Sequence, residues 1–212
     1  MYGFIKSMFQ FDEIATVKGL GEVPFPYHHL SFSSYNVFAP RDPALNGKIS
    51  ESDYNCAVSA PNALIGSRYN SHDSGSTRGA YFGIANVTAM MEDGLNPHFT
   101  LSKFKIKPLD SPLDPATTRI AVIGYKHNSH QTVKWEVTFD QGYHDPLLVR
   151  LKDFSRENWE TISGVEIFAD YGVDALDWEF CLDDLELRFS HSSSTLLPTR
   201  QRDQVVMDGP AS

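Results

Sequence analysis

The side chains best suited to chemistry in this sequence come in short clusters. Asp12-Glu13 and Asp183-Asp184 are paired carboxylates. Oxygen ligands gathered near sheet ends suit Ca²⁺, so Asp12 and Asp184 are candidates to hold a structural calcium ion; the other reading is that they cap backbone N–H groups at turns. Neither pair resembles glycosidase machinery, because nothing places two carboxylates across a sugar-sized cleft. His28 and His29 are adjacent, so on a strand they would point to opposite faces and could not serve one small site. Either imidazole could still act as a proton donor near neutrality. His127-Asn128-Ser129-His130 has paired-ligand spacing, yet Asn and Ser between the imidazoles suggest a hairpin turn, and zinc needs further convergent ligands. There is no Gly-x-Ser-x-Gly elbow, and Gly19-Leu20-Gly21 lacks the rest of a dinucleotide fingerprint. What is left is an aromatic, weakly charged set: Tyr27, His28, His29, Tyr54, Arg68, Tyr69, Tyr125, Lys126 and Trp135, with Trp178. Most large rings serve the core. Exposed ones could stack on sugars as a flat array, or wall a closed pocket around two apolar reactants.

These groups sit in a chain of 212 residues, 41% hydrophobic and 21% charged, which is the composition of one globular domain. Acidic side chains outnumber basic ones, 27 to 18, for a net charge of −9. That balance argues against a nucleic-acid or anionic-membrane partner. No apolar run is long enough for a membrane span. Cys56 and Cys181 are too far apart for a CxxC motif and read either as buried thiols or as one long-range disulfide. The bridge is the expectation carried forward, and it requires an oxidising compartment. Asn86-Val87-Thr88 is a glycosylation sequon in keeping with secretion. Residues Met1 to Lys6 have neither a basic n-region nor an apolar h-region. The chain is therefore expected to be secreted or lumenal, with its leader peptide absent.

The elements that must position the chemistry read almost entirely as strands. Candidates are Leu30 to Val37, Ala80 to Ala89, Phe99 to Ile106, Arg119 to Lys126, Thr132 to Phe139, Leu147 to Leu151, Gly164 to Ala169 and Trp178 to Phe189. Val133, Trp135, Val137 and Phe139 alternate with Thr132, Lys134, Glu136 and Thr138, which predicts one buried and one wet face. The apolar phase flips at Ser102-Lys103 and again at Asp183-Asp184, which predicts bulges or switches between sheets. Strands without helical crossovers cannot make a parallel sheet. The expectation is an all-β, antiparallel jelly-roll β-sandwich over residues 1–190 with long loops at one end. The Pro-, Asn-, Ser- and Gly-rich stretch Ala39 to Gly79 reads as functional loops, and residues 191–212 as a peripheral tail.

Several segments also occur in a familiar order: Phe11-Asp12-Glu13-Ile14, Pro26-Tyr27-His28-His29-Leu30-Ser31-Phe32, Ser59-Ala60-Pro61-Asn62-Ala63, Phe99-Thr100-Leu101, Ile120 to Tyr125, Val165 to Phe168, and Phe180 to Leu185. This order resembles secreted jelly-roll proteins similar to carbohydrate-binding modules, in which a leading strand pairs near the terminal Phe-x-Leu-Asp-Asp-Leu strand. Within that group the chain is similar to the fungal hetero-Diels–Alderases of tropolone–sesquiterpenoid pathways. It departs from the broader pattern at His28-His29, where glycine-containing sequence is frequent, and at Phe32, where Trp is. The resemblance implies a cofactor-independent pericyclase that joins an ortho-quinone methide to an apolar terpene olefin. Holding both reactants in a reactive pose can offset on the order of 7–11 kcal/mol of activation entropy. His28, Arg68 and Lys126 would then be donors to the quinone-methide carbonyl. Tyr27, His29, Tyr54, Tyr69, Tyr125 and Trp135 would line the pocket. The alternative is a non-catalytic secreted carbohydrate-binding or cell-surface protein. A homodimer through a sheet face is a general option for jelly rolls.

Overall fold

The computed structural model describes residues 4–67, 79–110, 117–172 and 179–191. Arg68, Tyr69, Trp178 and the tail beyond His191 lie outside them. Alternating and β-branched apolar segments form twelve strands: β1 Phe4–Phe9, β2 Leu20–Glu22, β3 Leu30–Ser33, β4 Tyr35–Phe38, β5 Ala63–Gly66, β6 Ala80–Ile84, β7 Leu95–Pro108, β8 Thr117–Lys126, β9 Thr132–Asp140, β10 Leu147–Arg150, β11 Ile162–Asp170 and β12 Phe180–His191. Every strand pairing among them is antiparallel. Two short helices, α1 Val87–Glu92 and α2 Leu151–Phe154, and two 3₁₀ turns, Pro43–Leu45 and Glu51–Asn55, complete the described structure.

The strands make two layers. The first sheet runs β2-β4-β5-β12-β7-β10, and β1 extends the β5 side of β12. The second runs β3-β6-β11-β8-β9. A single residue pair, Ile162 with Phe99, bridges them. Between the layers the rings of Phe82 and Phe99 stack 6.2 Å apart, and Phe104 meets Trp135 edge-on at 5.9 Å. The expected all-β sandwich is thus what the chain forms.

Both expected phase changes are bulges. In the β7–β12 ladder Asp183 faces Lys105 and Glu186 faces Lys103, so β12 carries an extra residue at Asp184-Leu185, where Asp184 has φ 49°. Leu187 then faces Leu101, which leaves Ser102 as the extra residue of β7. Each bulge lets one long strand keep apolar residues on the core side through a change of alternation.

Other segments depart from expectation. Leu30 to Val37 is broken at Ser34, φ 61°, sending β3 to the second sheet and β4 to the first. The strand begun at Ala80 stops at Ile84, because Asn86 turns the chain and caps α1, its Oδ1 accepting the Ala89 N–H at 3.1 Å. Ala39 to Gly79 is not loop alone. It contains β5, whose Leu64 joins the main core while Ala63 and Ile65 join a second cluster with Phe38, Leu45 and the cysteines. Burial on both faces gives such a strand no alternation to read. β1 does pair with β12, Phe9 opposite Leu185, but it ends before Phe11-Asp12-Glu13-Ile14, which is a turn closed by the Ile14 N–H on the Phe11 carbonyl at 3.1 Å.

Candidate functional site

The expected site residues are scattered by the fold. His28 and His29 are not on a strand. They are the central residues of a two-residue hairpin turn, with φ 46° and 70°, and Tyr27 and Leu30 exchange N–H···O=C bonds of 2.9 and 3.0 Å across it. Positive φ at both positions is what such a turn needs to match strand twist, and His tolerates it better than most side chains. Tyr27 packs between Phe9, Phe11 and Phe32, and its hydroxyl donates to Glu13. That bond holds the Glu13 carboxyl below its ordinary range, while burial and Glu13 together push the Tyr27 hydroxyl up. His28 Nε2 lies 3.5 Å from Glu13, and His29 Nδ1 lies 3.8 Å from Asp93.

Trp135 is a core ring, and Tyr54 is half-buried on the second 3₁₀ turn. Tyr125 donates to Glu166 at 2.5 Å, and burial with that carboxylate raises its hydroxyl. Lys126 ties down a loop, its Nζ donating to the carbonyls of Asn158 and Glu160 at 2.5 and 2.7 Å, and burial lowers its ammonium. None of these residues lines either of the two grooves described below.

The acidic pairs are held by protein groups. Asp12 accepts the Asn62 N–H at 3.0 Å, and Asp184 pairs with Lys105 at 2.8 Å. Asp183 is buried and accepts the N–H groups of Val58, Ser59 and Asp184 at 2.8, 2.9 and 2.7 Å. Burial outweighs those bonds and pushes its carboxyl up to about 7. Among the described residues no three His, Cys, Asp or Glu side chains are grouped to hold a metal ion. Asp12 and Asp183 each cap backbone N–H groups. Cys56 and Cys181 are disulfide-bonded, as expected.

The structure gathers charge where the sequence reading did not look. In β7 the alternation Lys103-Phe104-Lys105-Ile106-Lys107 puts three lysines on the outer face of the first sheet and Phe104 and Ile106 in the core. That period of two was the available signal. Lys107 is fully buried and meets Asp53 at 2.9 Å and the Ser52 carbonyl at 2.8 Å. Lys103 instead opens into a groove of about 400 Å³ with Lys6, Arg150, Lys152 and Arg188. Glu157, Glu160 and Glu186 supply its carboxylates. Glu186 is 5% exposed and is shared by Lys6 at 2.9 Å and Arg188 at 3.3 Å. Burial works to raise its carboxyl, but the two cations hold it below the ordinary range. One wall is set by the loop after α2, whose Trp159 is buried, bonds Ser155 through its indole N–H at 3.0 Å, and accepts the Leu101 N–H at 3.2 Å.

A second groove, about 310 Å³, lies between Asp110, His144 and Tyr171. Asp110 accepts Ser50 at 2.6 Å and also Ser52, and sits 3.3 Å from His144 Nδ1. The hydroxyls go to the carboxylate rather than the imidazole, so this is not a Ser–His–Asp relay.

Fold and groove together define a disulfide-bridged antiparallel β-sandwich with a basic trough on one outer face. No protein-family model matches the chain, and no curated protein matches it. A solved structure of a DUF4465 family protein from Bacteroides ovatus ATCC 8483 is similar, at 12% identity and a TM-score of 0.48, over 87% of this chain and 84% of that one.

Proposed function

We propose that this chain is a secreted, non-catalytic binding protein that takes a carbohydrate along the outer face of its first sheet. The observation that carries the reading is the 400 Å³ groove, open to solvent, in which five cations and three carboxylates stand beside Leu101, Leu151 and Trp159. A trough of that kind suits an extended polar chain better than a pair of apolar reactants. The Cys56–Cys181 bridge supports an oxidising compartment. Asn86 is exposed and caps α1 through Oδ1, which leaves Nδ2 to carry a glycan. Immobilised glycans of varied charge test the function: retention on one class is expected, and passage through all of them would overturn it.

The pericyclase implied by the resemblance is a second reading. In its favour are Tyr81 and Tyr125, half-buried rings 6.3 Å apart on the outer face of the second sheet, seated on Gly83 and Gly164, where a Cβ would collide with Tyr81. The rate of adduct formation from an ortho-quinone methide and a humulene-type olefin, with and without protein, decides it. Equal rates remove this reading.

A further inference from the structure

We infer that the groove on the first sheet recognises a carboxylated polysaccharide, a uronate polymer, through Lys103, Arg150 and Lys152; this rests on the carbohydrate-binding reading. The chain as a whole is at −9, yet the groove brings together five cations and three carboxylates. Lys6 and Arg188 are already committed to Glu186. Lys103, Arg150 and Lys152 have no ion pair among the described residues. Lys103 and Arg150 stand directly opposite each other on β7 and β10, so their side chains share one face of an antiparallel ladder. Like charges so placed repel; Glu186, which faces Lys103 from β12, is already taken by Lys6 and Arg188, and a half-buried lysine in that position is short of solvent as well. An anion lying between them would remove the conflict, and the planar guanidinium of Arg150 suits a carboxylate held in two parallel bonds.

The remaining lining says what else the ligand carries. Trp159, the aromatic ring of the groove, is buried and offers no flat platform for stacking on a neutral sugar. Glu157 and Glu160, both exposed, are acceptors for hydroxyl donors and would repel a densely sulfated chain. A uronate ring combines one carboxylate with several hydroxyls and so matches both kinds of group.

Affinity electrophoresis through polygalacturonate, heparin and uncharged dextran tests this on the whole protein. Retardation by polygalacturonate, weakened by salt, is expected. Lys103→Gln, Arg150→Gln and Lys152→Gln combined should lower that affinity roughly tenfold or more, with the melting temperature showing that the variant is folded. Lys134→Gln, on the second sheet, should leave binding unchanged. Undiminished binding by the triple variant would overturn the groove assignment, and tighter binding to heparin would overturn the uronate. Retention on neutral glycans alone would overturn this inference and leave the carbohydrate-binding reading standing. Retention on none would overturn both.

Discussion

The outer face of the first sheet has two halves that treat charge in opposite ways. Over one half lies the segment between β4 and β5. Its Leu45 and Cys56 pack on Ala63, Ile65 and Cys181, and the disulfide fastens it down. The other half, where β1, β7 and β10 meet the far end of β12, is left open as the groove. The lysines of β7 cross from one to the other. Lys107, under the cover, has Asp53 and the Ser52 carbonyl; Lys105, at the boundary, has Asp184; Lys103, in the open, has no ion-pair partner among the described residues. A buried ammonium must be paired and hydrogen-bonded for the fold to persist. A cation at the open groove is under no such demand.

Breaking the covered half should produce the largest effect. Lys107→Met leaves Asp53, 4% exposed, as a carboxylate without its counter-charge. A loss of about 3–5 kcal/mol in urea unfolding is expected. Adding Asp53→Leu should restore much of it, since a matched apolar pair needs no charge compensation. If the double variant is as unstable as the single one, Lys107 is held by something other than Asp53, and the contrast with Lys103 loses its basis.

Asp183 is the next test, because it fastens Val58 and Ser59 at the rim of the same cover. Its carboxyl is raised from 3.8 to about 7 in the folded protein. Between those values the folded state keeps a proton that the unfolded chain has released. The Asp183 contribution is therefore fully present below about pH 4 and is lost as pH rises to about 7, a decline of a few kcal/mol. Glu13, Asp110 and Glu186 are held below their ordinary ranges and act in the opposite sense. The informative quantity is thus the difference between wild type and Asp183→Asn across that window. A difference that does not change with pH would show that Asp183 is ionised throughout.

The same division between covered and open surface explains which parts of the molecule could be read from the chain. Strands with one wet face were legible: β9 alternates Val133, Trp135 and Phe139 with exposed Thr132, Lys134 and Glu136, as expected. Bulges were legible as changes of phase at Ser102 and Asp184. β5 was not, because the covering segment buries Ala63 and Ile65 on the face that alternation would have marked as polar. The site was harder still. Rings such as Tyr27 and Trp135 drew attention as candidate ligand contacts, but their size takes them into the core. The groove is assembled from β1, β7, β10, α2, the loop after α2 and β12, and only pairing register brings Arg150 opposite Lys103.

That register supplies the smallest and most discriminating effect. If Lys103 is placed for a ligand rather than for the fold, removing its charge should help the free protein. Lys103→Gln relieves the repulsion from Arg150 while keeping the stem of the side chain, and the Glu186 carboxylate that faces it from β12 keeps Lys6 and Arg188 as its closer cations, so the attraction lost there is the smaller change. A gain of about 0.2–1 kcal/mol is expected in urea unfolding at low ionic strength. The gain should shrink as salt screens the pair, and it should vanish in an Arg150→Gln background, where the opposing charge is already gone. A loss of stability that salt does not alter would mean that Lys103 holds the sheet together much as Lys107 does. The open half would then be only a thinner version of the covered one.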